Sequence, residues 1–201
     1  MAEPGATSPL FDAFMQKGKD SLFHPDIEDV AQTILTNKLW RRDFDAFVKN
    51  AYSGTIQGNR AVAAGFVDRK VAGWLKKNAG IDIGESVTIS LEARLLNGPK
   101  AMRHIRDGNA VGQIESHSIV DALLYGKVYY TTVSSGKAHA GNLTYIFPYS
   151  ENKFYKIMVS PSVKLRSDSK NSFITGPVIR SIDTIGEEGL VWVNYNNVLI
   201  K

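Results

Sequence analysis

The hydrophobic pattern of this chain changes its period at Gly126. Before that residue, apolar side chains recur every three to four positions, which is typical of amphipathic helices. After it, apolar and polar positions alternate, beginning with residues 128–133. Alternation places successive side chains on opposite faces of a strand. Helices first and strands later predict an α+β fold, in which an antiparallel sheet packs against helices.

The helical pattern dominates the first part of the chain. We predict four helices there, over residues 8–18, 25–35, 43–54 and 59–78. A short strand at residues 81–89 and three more helices are predicted next, the helices over residues 90–96, 100–107 and 115–125. We therefore expect two regions: a helical N-terminal region at residues 1–80, and an α+β domain at residues 81–201.

The remaining residues show strand signals separated by turns. Strands are predicted over residues 128–133, 143–147, 154–159, 173–182 and 191–199. Glu151-Asn152 is typical of a hairpin turn, and Gly176-Pro177 predicts a break within the fourth of these strands. Short connections between consecutive strands predict an antiparallel meander.

Composition excludes several classes of protein. The chain has 201 residues and no cysteine, which excludes a disulfide framework, a thiol nucleophile and a zinc site with cysteine ligands. No stretch approaches the roughly 18 apolar residues of a membrane span, and no secretory pattern opens the sequence. We expect a cytoplasmic or virion-associated protein that does not bind membranes.

The motifs of common enzyme classes are also missing. The sequence has no Walker loop, no GxGxxG after a strand, no GxSxG elbow and no HExxH pair. Its four histidines are scattered along the chain. We therefore expect no cofactor and no metal, and any catalysis would use histidine, lysine and arginine side chains.

The positive charge is concentrated in one part of the chain. The net charge of +4 divides into +7 for residues 94–181, where twelve basic residues accompany five acidic ones, and −3 elsewhere. Aromatic residues interleave with these cations: Tyr129, Tyr130, Tyr145, Tyr149, Phe154 and Tyr155. Such a surface could bind a phosphate backbone and stack bases. The alternative is a solvated face whose aromatics belong to the core.

One candidate catalytic group lies in the predicted helix at residues 100–107. Lys100, Arg103 and His104 are three and four positions apart, so on a helix they share a face with Arg106 nearby. Neighbouring cations favour the neutral form of histidine, which suits a general base. The same cations could hold a scissile phosphate. The alternative is a partly buried histidine beside a solvated basic strip.

A second set of candidates lies on the later strands and loops. It combines cations with hydroxyl groups: Lys156, Lys164, Arg166, Lys170, Ser172 and Thr175. These groups can bind phosphate and polarise a 2′-hydroxyl without a metal, although they could also form the solvent face of a half-buried sheet. His139 lies in a glycine-flanked turn at residues 136–141 and is a further nucleic-acid-binding candidate.

The order of elements and a few short segments resemble a known superfamily. A predicted strand leads to a helix with His104-Ile105, then to a Leu-Leu-x-Gly-Lys-Val step at residues 123–128 and the meander segments 153–159 and 173–176. Over about residues 81–182 the chain resembles the phage-encoded members of the barnase–EndoU–colicin–RelE superfamily of ribonucleases. The resemblance implies metal-independent RNA cleavage by 2′-hydroxyl attack, with His104, Lys156, Arg166 and Thr175 as catalytic residues. Lys100, Arg103, Arg106, Lys164, Lys170 and His139 would bind RNA.

Three other hypotheses stay open. The chain could be a non-catalytic phage or virion-associated protein that binds another protein. It could be a nucleic-acid-binding module that does not cleave its ligand. An ADP-ribosyltransferase could supply a similar meander, but the sequence has no Glu-x-Glu pair. The oligomeric state does not follow from the sequence.

Overall fold

The structure is a computed structural model, and it describes residues 38–57, 60–83, 88–97, 114–132, 141–166 and 173–201. Helices α1 to α5 in these ranges are Lys38–Tyr52, Arg69–Trp74, Arg94–Asn97, Ser116–Tyr125 and Glu187–Asn196. Helix α2 continues directly into a π-helical turn, Leu75–Ala79. Strands β1 to β7 are Ala61–Phe66, Thr88–Glu92, Lys127–Thr131, Leu143–Ser150, Lys153–Arg166, Phe173–Ile185 and Asn197–Leu199.

The described strands form one seven-stranded sheet in the order β1-β2-β6-β5-β4-β3-β7. Strands β3 to β6 pair with their sequence neighbours in antiparallel fashion, which confirms the predicted meander. The pairing of β2 with β6 is parallel, so the sheet is mixed rather than purely antiparallel. The predicted α+β class is confirmed at this level.

Two local features of the meander, the β4–β5 turn and the Gly176-Pro177 segment of β6, follow from the residues that form them. The β4–β5 hairpin turns at Glu151-Asn152, where Asn152 adopts a φ of 56°, a left-handed conformation that asparagine tolerates better than most residues. Strand β6 continues through Gly176-Pro177 instead of breaking. The register of the two strands shifts there. Ser160 pairs with Val178 and Val163 pairs with Gly176, so β5 has one more residue than β6 between these pairs. A bulge of this kind accommodates proline, which cannot donate to the ladder.

One face of the sheet carries the main hydrophobic core. Helix α4 packs on β1 and β4, and α1 packs on both β1 and α4. Buried residues from these elements include Phe44, Phe47, Leu123 and Tyr145. Gly65 lies where α4 approaches β1, and an added Cβ there would be 3.2 Å from the Leu123 side chain, a tight contact.

Helix α5 covers part of the opposite face of the sheet, over strands β3 to β6. Val193 of α5 is buried against Tyr129 and Ile146, and Phe154 and Ile185 border this smaller cluster. The inward face of α5 therefore has an apolar partner in the sheet.

The helix predicted at residues 59–78 is wrong in its first half, because residues 61–66 form β1 and only the second half is helical. Val62, Ala63, Ala64 and Phe66 are all buried. A strand covered on both faces has a continuous apolar run, which periodicity does not distinguish from a buried helix. Strand β1 also joins the sheet formed by strands after residue 80.

Two further predictions need correction. Residues 88–92 form β2 where the helix at 90–96 was expected, and only Arg94–Asn97 is helical. Ile89 and Leu91, two positions apart on β2, are both fully buried, as expected for residues that share one face of a strand. Most of the strand predicted at 191–199 is helix α5, which begins after Gly186 with two glutamates that suit a helix N-terminus. The helices predicted at 8–18, 25–35 and 100–107 lie outside the described residues.

Candidate nucleic-acid interface

Three candidate residues are brought together near the end of the β5–β6 hairpin. The backbone register places Lys164 directly opposite Thr175, and Arg166 opposite Phe173. Directly opposed residues have Cα atoms about 4.5–5.5 Å apart. Positions 164 and 166 lie on the same face of β5, because strand residues two apart share a face. Two cationic positions and one hydroxyl position are therefore neighbours on adjacent strands.

Lys156 lies elsewhere on the same long strand. It is eight residues from Lys164, and extended backbone rises about 3.3 Å per residue, so the separation is about 26 Å. Its backbone partner is Asp183, and its Nζ lies 5.7 Å from the centre of the Trp192 ring. Lys156 therefore has two neighbours close by, Asp183 on β6 and Trp192 on α5. The structure does not bring it together with Lys164 and Thr175.

The other candidates lie outside the described residues. They are Lys100, Arg103, His104, Arg106, His139, Lys170 and Ser172. His117, at the start of α4, is described: its Nδ1 lies 3.2 Å from Glu115 Oε2, and both side chains are exposed. This contact is local to the helix N-terminus.

The interleaved aromatic residues divide between core and surface. Tyr129 and Tyr145 are buried, and Tyr130 packs against Trp74 with ring centres 5.1 Å apart. Tyr149 is exposed, and its ring stacks on Tyr155 at 4.2 Å with an interplanar angle of 21°.

The Tyr149–Tyr155 stack is therefore the aromatic pair in this set with an accessible ring. Tyr155 packs against the main core and holds the stack in place. Lys153, the first residue of β5, is exposed and pairs in register with Ser150, next to Tyr149. An exposed ring beside a lysine is suited to base stacking next to a phosphate.

Sequence reasoning missed a buried ion pair between Asp68 and Lys201. The Asp68 carboxylate is buried and contacts the Lys201 ammonium, while its other oxygen accepts a hydrogen bond from the Val71 N–H at 2.9 Å. That second contact caps the N-terminus of α2. The sequence does indicate this cap, since aspartate is a preferred N-cap residue. Asp68 as an N-cap predicts a helix that begins at residue 69, as observed, and not at residue 59.

Three tyrosines with a raised pKa make the free energy of unfolding depend on pH. Burial raises the pKa of Tyr145, and the charge of Asp68 raises it further. Burial also raises the pKa of Tyr52 and of Tyr129. At alkaline pH the unfolded chain, with tyrosine pKa near 10, releases these protons before the folded chain does, so the free energy of unfolding falls.

We therefore expect urea midpoints that do not depend on these tyrosines below about pH 9 and that fall as the pH rises above about 10. Tyr145→Phe should reduce this alkaline slope. Urea titrations monitored by circular dichroism across this range test the expectation. An alkaline slope that is equal in the variant and in the parent chain would assign the effect to other groups.

Comparison with known proteins adds no assignment: no family model, curated protein or solved structure matches the chain. Among the described residues, no group of three or more histidine, aspartate or glutamate side chains is arranged to hold a metal ion. No helix in the described ranges is both long and apolar enough to cross a membrane.

Proposed function

We propose that the chain binds RNA and cleaves it without a metal, by attack of a 2′-hydroxyl on the adjacent phosphate. The observation that carries the proposal is the register of the β5–β6 hairpin, which sets Lys164 opposite Thr175 with Arg166 two positions along. Two cations can neutralise the charge that develops on the non-bridging phosphate oxygens, and a hydroxyl can donate to one of them. The resemblance to the barnase–EndoU–colicin–RelE superfamily supports the same chemistry.

The proposed reaction forms one bond and breaks one. The 2′-oxygen bonds to phosphorus, the bond from phosphorus to the 5′-oxygen breaks, and a 2′,3′-cyclic phosphate is left. In the proposal His104 accepts the 2′-hydroxyl proton, and water supplies a proton to the departing 5′-oxygen. Lys156 has no part in this step, because it lies about 26 Å along the strand from Lys164.

Variants at the hairpin end test the proposed site. We expect Lys164→Gln and Thr175→Val each to lower kcat/KM for RNA cleavage by about 100-fold, the usual loss when one donor to a developing oxyanion is removed. Lys127→Gln is the matched control, since it removes the same charge from an exposed position on β3. A loss in Lys127→Gln equal to that in Lys164→Gln, with none in Thr175→Val, would show general electrostatic attraction and contradict the proposed site.

A second candidate function is RNA binding without cleavage, and the Tyr149–Tyr155 stack favours it. The exposed ring of Tyr149 and the exposed ammonium of Lys153 suit a base and its phosphate. Under this hypothesis the protein retains RNA on a filter in a salt-sensitive manner and leaves it intact. Tyr149→Ala would then weaken retention while Tyr149→Phe preserves it.

A further inference from the structure

Helix α5 is apolar on two opposite faces. Leu190 and Val193 point toward the sheet and belong to its smaller cluster. Val191 and Tyr195 lie on the other side, exposed by 67% and 88%, and Trp192, exposed by 39%, lies at the edge of that side with its ring near Lys156 of β5. A helix that borders water normally carries polar residues on its outer face, and one that is apolar all round is normally buried.

The exposed apolar surface continues from α5 onto β7. Val198 and Leu199 of β7 are 41% and 52% exposed. Strand β7 is also the outermost strand at its side of the described sheet. Five of the seven large hydrophobic side chains exposed among the described residues fall within residues 191–199. We call these five residues the α5–β7 surface: Val191, Trp192, Tyr195, Val198 and Leu199.

The spacing of the outer residues of α5 permits pairing with a second copy of the same helix. Glu188, Val191, Trp192 and Tyr195 follow the spacing i, i+3, i+4, i+7 and share one stripe. If two such helices pack antiparallel about a two-fold axis between positions 191 and 192, Val191 meets Trp192 of the second copy. The same axis sets the Glu188 carboxylate beside the Tyr195 hydroxyl, which can donate a hydrogen bond to it.

We propose that the α5–β7 surface binds a second copy of this chain, with α5 packed antiparallel against α5 across a two-fold axis. Such an interface is isologous, so each favourable contact occurs twice. Tyrosine and tryptophan are enriched at protein interfaces, and the dipoles of antiparallel helices attract. The Nζ of Lys156 lies 5.7 Å from the centre of the Trp192 ring, within the range of a cation–π contact. A ten-residue helix is about 15 Å long, so the interface between two such helices is small. Small interfaces are weak, and we therefore expect the fraction of dimer to depend on protein concentration.

Charge exchange tests the pairing of Glu188 with Tyr195. The parent chain should shift from monomer to dimer in sedimentation equilibrium as its concentration rises from about 1 μM to about 1 mM. Tyr195→Glu sets two carboxylates against each other in each half of the interface, and the dimer dissociation constant should rise at least about tenfold. Adding Glu188→Lys to that variant replaces repulsion with attraction and should restore the dimer. Both positions are exposed, so the variants should fold, which circular dichroism checks.

Tyr149→Glu is the matched control, because it places the same charge on an exposed tyrosine of another surface and should leave dimerisation unchanged. A parent chain that stays monomeric throughout would overturn the proposal. A dimer unaffected by Tyr195→Glu, or one not restored by the double variant, would also overturn it. Weaker RNA retention by Tyr195→Glu with no change in mass would assign the surface to nucleic acid and equally reject the dimer.

Discussion

Asp68→Asn should destabilise the fold by about 3 kcal/mol, because it leaves the Lys201 ammonium partly buried without its counter-charge. The Asp68 side chain is 6% exposed and that of Lys201 is 18% exposed, so water compensates the loss poorly. Asparagine caps helices about as well as aspartate does, so the cap of α2 should survive this change. Urea unfolding should show a lower midpoint with an unchanged slope.

Two further variants separate the ion pair from the helix cap. Asp68→Ala removes both and should cost about 1 kcal/mol more than Asp68→Asn. Combining Asp68→Asn with Lys201→Met removes both charges and should recover most of the lost stability, since no uncompensated charge then stays buried. The exposed pair Lys76–Asp82 is the control, and Lys76→Gln should leave the midpoint in place. Additive losses in the double variant would mean that the two groups do not stabilise each other.

Gly126→Ala should also cost about 3 kcal/mol, for a steric reason. A Cβ at residue 126 would lie 2.4 Å from the carbonyl oxygen of Ala122 and 3.1 Å from that of Ile146. Both neighbours are backbone atoms. Ala122 accepts the hydrogen bond from the Gly126 N–H that closes α4, and Ile146 is the register partner of Lys127 at the start of β3. Moving either atom disturbs the step from helix to sheet.

Gly73→Ala is the matched control for this substitution. Residue 73 is helical, and an added Cβ there meets no atom within 4 Å. The same chemical change should therefore stabilise the protein by up to about 1 kcal/mol, through the higher helix propensity of alanine. Thermal or urea unfolding of the two variants should give shifts of opposite sign. Equal stability of Gly126→Ala and the parent chain would contradict the close approach of α4 to β3 and β4.

The elements that could be predicted from sequence carry a periodic or a turn signal. Helix α4 has a buried face and a more exposed one, so its period is visible, and the strands of the meander are bounded by turn residues such as Glu151-Asn152, although both of their faces are largely buried. Strand β1 is buried on both faces, and α5 carries apolar residues on both faces. In each case the pattern that separates a period of two from one of 3.6 is absent.

The candidate site could be predicted only in part, because strand length and register decide which residues meet. Lys156, Lys164 and Arg166 are equivalent as cations on a strand when the sequence alone is considered. The fourteen-residue length of β5 separates Lys156 from the others, and the register across the bulge sets Thr175 opposite Lys164. The Asp68–Lys201 pair joins residues 133 positions apart, and no local pattern relates them.

The most direct test of the proposed function identifies the ends of the products. A mixed RNA incubated with the purified chain in EDTA should yield fragments ending in 2′,3′-cyclic phosphate, and His104→Ala should abolish them. Such products from the parent chain, together with their loss in the variant, would support 2′-hydroxyl attack with His104 as the base. RNA that stays intact across a wide range of protein concentration, or fragments formed equally by His104→Ala, would contradict it.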